Sequence, residues 1–539
     1  MSRFSLIPMI LITLVCASFG ERAVAQHEHP VGNPEKLGKV NFPVSCDAAL
    51  QPQFNSAVAM LHSFWYEKAR DTFAAIAQKD PSCGMADWGI AMTDNHPIWE
   101  APAPAALKDG SAAVEKAKSA GAKTQRERDY IAAIEIFYKD SDKIDHRTRT
   151  LAYEREMQQL QARYPDDPEA AVFHALSLVA TAVPTDKTYV NQKKAGEILE
   201  KIFNAQPDHP GVAHYIIHAY DYPPLANRAL DAARRYAKIA PESPHALHMP
   251  SHIFTRLGLW QESIDSNLAS SAAAQKFNAP GNELHAKDYA IYAYLQGGRD
   301  GEAKRMLETF SQPRQDDPQY FTGLYAMGTS RARYAVERHR WADAAALTVP
   351  LNTFPGGRYS WTEANIHFAR ALGAAHIGDT DAVKKELQQL AALRDTLTQL
   401  NDKYWADQLQ IQWEIAAAWL TLAEGKPHEA LQQMRQAADH EDRTDKHAVT
   451  PGVILPAREL LGEMLLGLKQ PAPALAEFEA TLRTAPNRYN SLGGAAQAAE
   501  NSGDREKAKT YYAKLLTLCD HADGGRPELK EARNFLAQK

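Results

Sequence analysis

The sequence predicts an all-α chain of repeated helix hairpins, and three observations predict it. Ala195, Ala229 and Ser263 recur at intervals of 34 residues, and Pro207 and Pro241 stand the same distance apart. That period marks a helix–turn–helix unit which buries its apolar face against the next unit. The second helices repeat a small–aromatic–apolar–Pro spacing, as in Ala69, Phe73, Ile76 and Pro81, which packs one helix on another and then stops it. Nowhere does strand-like alternation survive over several residues.

The chain opens MSRFSLIPMILITLVCASFGERAVAQ. Arg3 gives a charged start, Phe4 to Phe19 are largely apolar, and Ala23-Val24-Ala25 makes a small-x-small cleavage site, so residues 1–25 read as a secretory signal peptide. The expected location is periplasmic or secreted, with cleavage near Ala25. Residues 26–45 carry Pro and Gly and no helical period, which predicts an extended arm. Helical pattern begins near Ala57. AMTDNHPIWEAPAPAALKDG (91–110) breaks it with three prolines and a glycine, and reads as a loop inserted beside a groove. A further insertion is expected around TAVPTDKTY (181–189). QPRQDDPQ (312–319) reads as a hinge, so the expected division is a first solenoid over 46–311 and a second over 320–539. The second half ends with two regular units, Ala474 and Ala508 again 34 apart, and a capping helix closes it.

The whole sequence carries a formal charge of −6, and about −7 without residues 1–25. Mild acidity spread over so long a chain argues against nucleic acid and against anionic membrane surfaces. No later stretch approaches eighteen uncharged apolar residues, so no membrane span is expected. Three cysteines remain after the leader. Cys46 and Cys83 each precede the first helix of a unit, and in an oxidising compartment they are placed to pair; two buried thiols are the alternative. Cys519, near His521 and Asp523, is left over.

These units resemble the tetratricopeptide-repeat superfamily across most of residues 50–520, most closely over 190–265 and 445–520. The phrases NHPIWE, HPGVAHYIIHAYD and HALHMPSHIFTRLGLW also resemble those of a group of exported bacterial repeat proteins, which implies a location and no particular activity. The superfamily resemblance implies a right-handed α-solenoid of about ten helix pairs, and a concave groove lined by the first helix of each unit. Carried onto this chain, the groove positions fall on His62, Trp88, Asn95, His96, His214, His218, Asp221, His245, His248, His252, His285, Asp288 and Tyr292.

Four of these stand out without the resemblance. His214 and His248 occupy one repeat position and His218 and His252 another, each pair spaced i, i+4 and so on one helix face. Cβ atoms about 6 Å apart along a helix, on helices about 8–10 Å apart, place the imidazoles within reach of one ion. Zinc, copper, nickel or iron suits such a donor set, with Asp221, Asp288 and His245 as supporting partners or further ligands. The same groove equally suits a peptide or protein partner read by hydrogen bonds, and that scaffold role is the leading expectation, with metal binding as its alternative. No nucleophile elbow, Gly-rich phosphate loop or His-Glu-x-x-His is present. Catalysis would have to use the same histidines, with Asp221 or Glu100 as base.

Overall fold

The computed structural model describes residues 36–315, 320–349 and 354–538. The signal-peptide reading, the first half of the extended arm and the second half of the predicted hinge lie outside those residues. Hairpin follows hairpin from Gln51–His62 and Tyr66–Lys79 to Tyr489–Asn501 and Arg505–Leu518, and helix Pro527–Ala537 caps the end. No strand occurs among the described residues. None of the described helices is long and apolar enough to cross a membrane.

The residues that set the period also set the packing. Ala195, Ala229 and Ser263 are wholly buried, since only small side chains let paired helices approach there. Within the 38–44 stretch, which has no regular structure, the chain is pinned by Phe42, whose ring meets Phe54, Trp88 and Tyr130 at centroid distances of 5.7, 5.3 and 5.0 Å. Gly38 permits the close pass: its φ is +83°, and a Cβ there would lie 2.7 Å from the Asp208 carbonyl oxygen.

One expectation needs correcting. The stretch 91–110 is not a single loop. Helix Gly84–Thr93 runs into its start, and helix Pro104–Ala120 begins inside it, Pro104 occupying a first-turn position where a missing N–H costs nothing. Gly110 does not break that helix. It admits the Tyr138 ring, which a Cβ would meet at 2.3 Å. Only 94–103 remain as a connection, and they carry Trp99. Pro250 likewise interrupts without ending its helix: Pro244–His248 and Pro250–Leu257 follow each other through Met249.

The superhelix turns tightly enough for late units to lie against middle ones. Trp260 donates its indole N–H to the Asn487 carbonyl at 2.9 Å, and Asn487 donates its amide to the Gly258 carbonyl at 3.1 Å. The Arg526 guanidinium meets Asp300 at 2.7 Å. Arg488, wholly buried, joins Glu459 (2.7 Å), Glu337 (2.9 Å) and the Tyr292 hydroxyl (3.0 Å). These contacts cross the 312–319 stretch, so segments on both sides of it share one core.

Cys46 and Cys83 form a disulfide, with Cα atoms 4.9 Å apart. It joins the arm to the start of helix Gly84–Thr93. Cys519 is a buried free thiol whose pKa burial pushes up to about 12, so it is inert at neutral pH.

Closing a loop with a sequence separation of 37 restricts the unfolded chain by about 4 kcal/mol. Replacing Cys46 and Cys83 together by Ser is therefore expected to lower stability by about that amount, read as a lower denaturant midpoint for loss of helical circular dichroism.

Arg488→Met would leave Glu459 and Glu337 buried without their cation, at a cost of about 3–5 kcal/mol. The expected result is a large drop in Tm with loss of the contacts around Asn487, visible as faster amide exchange there. An unchanged midpoint would remove Arg488 from any part in closure.

His339 adds a pH dependence. Burial opposes its charge, but Glu463 at 3.1 Å raises its pKa to about 9. A folded-state pKa above the unfolded value of about 6.5 stabilises fully below that pH and loses the stabilisation as pH rises through about 9. Partial exposure keeps the effect on the order of 1 kcal/mol. His339→Gln should flatten the fall of Tm between pH 6.5 and 9.5, and an unaltered profile would count against the pair.

Candidate functional site

Helix Pro210–Tyr220 supplies His214 and His218; the helix interrupted at Pro250 supplies His245, His248 and His252; and Pro280–Gln296 supplies His285. All six are buried, none more than 3 % exposed. The four metal candidates of the sequence do not form one square. They divide into two triads, each taking in a further histidine of the groove. One imidazole nitrogen from each of His214, His218 and His245 lies within 4.8 Å of the others, and the same holds for His248, His252 and His285. The triads adjoin: ring centroids are 5.8 Å apart for His218 and His252, and 5.9 Å for His245 and His248.

Hydrogen bonds fix where the protons sit in the second triad. His252 Nδ1 lies 2.9 Å from the Asp221 carboxylate, which only accepts. His248 Nδ1 lies 2.6 Å from Asn267 Oδ1, and the orientation of that amide is set because its nitrogen donates to the Ser263 carbonyl at 2.7 Å. Both Nδ1 atoms therefore carry hydrogen, and both Nε2 atoms carry lone pairs. Those two Nε2 atoms face each other at 3.0 Å. His285 Nε2, also buried, has no hydrogen-bond partner.

The first triad is built similarly. His214 Nδ1 donates to the His62 carbonyl at 2.6 Å, which leaves its Nε2 bare, 3.2 Å from His245 Nε2. His218 Nε2 and His245 Nδ1 have no partner. Burial drives the pKa values of all six imidazoles down, that of His214 to about 3, so the rings are neutral at pH 7. Burial also opposes ionisation of Asp221, yet Lys446, Arg256 and His252 hold its carboxyl well below the usual range.

Two connections roof the chamber. Trp99, from the 94–103 connection, sets its ring 6.2 Å from His218, 5.7 Å from His245 and 5.7 Å from His285, and thus touches both triads. The second lies between helices Pro427–Glu441 and Ala457–Gly467. From it Lys446 reaches Asp221 at 2.9 Å, while the Tyr289 hydroxyl donates to the carbonyls of Ala448 (3.1 Å) and Thr450 (3.0 Å). Below, Phe64 stacks on His245 and His218 with centroids 5.5 and 5.8 Å away. Its φ of +53° is a strained conformation for an aromatic residue, held where it shapes this floor.

The other groove positions do different work. Trp88 is core, packed on Phe42 and Phe173. His62 is buried between Glu169 (2.8 Å) and the Tyr215 hydroxyl (3.0 Å), and His209 holds the other oxygen of Glu169 at 2.9 Å, so their ion network is satisfied internally. His96 stacks on Tyr66, and Asn95 is buried nearby. Asp288 turns to Arg333 (2.8 Å) and Ser330 (2.7 Å) rather than to an imidazole, and Tyr292 meets Arg488. Glu100 pairs with Arg358. Asp221 alone of the two aspartates orients a histidine. Phe64, Trp99, Asn267, Tyr289 and Lys446 complete the chamber and were not singled out as its parts by the repeat pattern. For Lys446 the available signal was the long aperiodic connection with Pro451 and Pro456 that carries it.

No family model matches the chain, and no curated protein matches it. Solved structures of similar fold include the human IFIT1 dimer with m7Gppp-AAAA, at 9 % identity and TM-score 0.36 over 84 % of this chain and 90 % of that one. A monomeric IFIT1 mutant with Gppp-AAAA matches at 10 % identity and TM-score 0.37, over 81 % and 90 %. A likeness at this level goes no further than the helical fold. The expectation that nucleic acid is no partner does not stand: those structures hold capped RNA, and mild net acidity by itself excludes no nucleic-acid partner. Whole-chain charge does not report the local potential of a groove.

Proposed function

We propose that this protein is an exported helical-repeat protein whose function is to bind transition-metal ions in the paired histidine triads. One observation carries the reading: two neutral imidazoles, each with its proton committed to Nδ1, point bare Nε2 lone pairs at each other across 3.0 Å. Two such lone pairs repel unless a cation lies between or beside them. Burial resists a proton in that role at neutral pH. A metal meets the need, for two nitrogens bound at about 2.0–2.1 Å to one tetrahedral ion stand roughly 3.3 Å apart. The Nδ1 bonds to a carboxylate, an amide oxygen and a backbone carbonyl are the supports that ligating histidines need.

A peptide laid along the groove fits these residues less well, because Trp99 and the Lys446 connection already cover the imidazoles. Among the described residues the two triads offer imidazole nitrogen alone, which favours zinc, copper(II), nickel or iron(II) over copper(I). The Cys46–Cys83 bridge supports an oxidising location, in keeping with the leader-like residues 1–25.

The test is metal content. Mature protein purified without a His tag should carry up to two ions per chain by elemental mass spectrometry. His248→Ala with His252→Ala should remove one ion, His214→Ala with His218→Ala the other, and all four changes both, while helical circular dichroism persists. A wild-type protein that takes up no first-row divalent ion at equimolar supply, with affinity no better than millimolar, would overturn the proposal.

A further inference from the structure

A cavity of about 620 Å³ adjoins the histidine chamber. Its lining brings together Trp99, His218, Trp361, Trp405, Lys403 and His447. Trp99 and His218 belong at the same time to the chamber, so these two residues form the partition between cavity and metal ligands. Each has a buried ring nitrogen, Trp99 Nε1 and His218 Nε2, without a hydrogen-bond partner. An unpartnered buried donor or acceptor costs about 1–3 kcal/mol; an ion in the triad takes up His218, and the Trp99 N–H is left for an acceptor in the cavity.

The far side of the cavity is an aromatic wall. Trp361 and Trp405 stack with centroids 4.7 Å apart and planes 19° from parallel. His447 continues the wall, 5.4 Å from Trp405, and Phe321 backs Trp361 at 5.0 Å. Much of the charge nearby is already paired: Lys446 with Asp221, Arg358 with Glu100, Lys187 with Asp445. Lys403, exposed, adds a cation among the lining residues. A flat ring suits the wall, and an oxygen able to become anionic suits the lysine and an ion in the adjoining triad. A volume of this size lies within the range for small-molecule sites, about 300–1,000 Å³. A triad of three histidines leaves a tetrahedral ion one position for an outside ligand.

We propose that this cavity binds a small aromatic molecule bearing a metal-ligating oxygen, of the phenol or catechol class, with its ring against Trp405 and its oxygen turned toward His218. The inference rests on the metal reading for the oxygen and on the aromatic wall for the ring, and the two parts can be read separately.

The probe is 4-nitrocatechol, added to mature protein from which free metal has been removed by gel filtration. Two signals are followed: quenching of tryptophan fluorescence, which reports the ring, and the shift of the visible nitrocatechol band, which reports ligation. Metal content is measured independently on the same samples. The expected result is saturable quenching with a band shift in metal-loaded protein. Trp405→Leu should weaken binding about five- to tenfold, the worth of one aromatic stack, without altering metal content. The variant replacing His214 and His218 by Ala should lose the band shift and keep the quenching. Metal-loaded protein that gives no saturable quenching, or quenching indifferent to Trp405→Leu, overturns this inference and leaves the metal site standing. Protein that holds no metal yet shows Trp405-dependent quenching overturns the ligation half together with the metal reading, and leaves the ring site alone.

Discussion

The structure depends on keeping six imidazoles out of water while leaving several of their nitrogens without partners. Either condition alone is ordinary. Together they are costly, because a buried acceptor that loses its water recovers nothing until some other group approaches it. Packing around the chamber offsets this: Phe64 beneath, Trp99 above, and the connection that brings Lys446 to Asp221. The rings cannot relieve the repulsion by protonation, since the same burial disfavours their charge. What the architecture retains is a set of aligned lone pairs, which is the property a cation needs and a peptide does not.

Asp221 shows how the arrangement is held. One carboxylate serves His252, Arg256 and Lys446 together, three partners from two different stretches of chain. Its contact with His252 decides which ring nitrogen carries hydrogen. Its contact with Lys446 ties down the connection that covers the chamber. Charge balance is local: a buried anion meets two largely buried cations, and neither triad has a carboxylate ligand of its own. An added metal cation would therefore be compensated poorly by the protein, which favours an anionic outside ligand at that ion.

Much of the scaffold was legible in the chain because a solenoid is a local structure. Contacts between neighbouring hairpins leave a 34-residue imprint, and Ala195, Ala229 and Ser263 could be placed in the core from spacing alone. The pairing of His214 with His218, and of His248 with His252, followed from the same ruler. The division into two triads did not, because it depends on His245 and His285 entering from one turn earlier in their helices, a matter of rotation about the helix axis rather than of period. Pro104 was the other source of error: it begins a helix inside the stretch read as a loop, and the residue type does not distinguish the two. The roof was hidden for a deeper reason. Trp99 and Lys446 reach the chamber across long separations in the chain, and periodicity carries no information about closure at that range.

Closure also explains how the groove positions come to do different work. A repeat helix that lines a concave face is solvent-exposed only if the superhelix stays open. Here Asn487 binds the backbone at Gly258, and Arg488 fastens Glu459 and Glu337 to Tyr292, so later hairpins stand against the middle of the chain. Residues with groove positions in the repeat then divide by depth. Asp288 and Tyr292 become parts of the fastening, and His62 becomes part of the Glu169 network beneath the floor. Those facing the space left between the two connections keep imidazole nitrogens without partners. In a closed repeat protein the groove is thus reduced to a chamber and an adjoining cavity, and the residues able to do chemistry are those that packing has left incomplete.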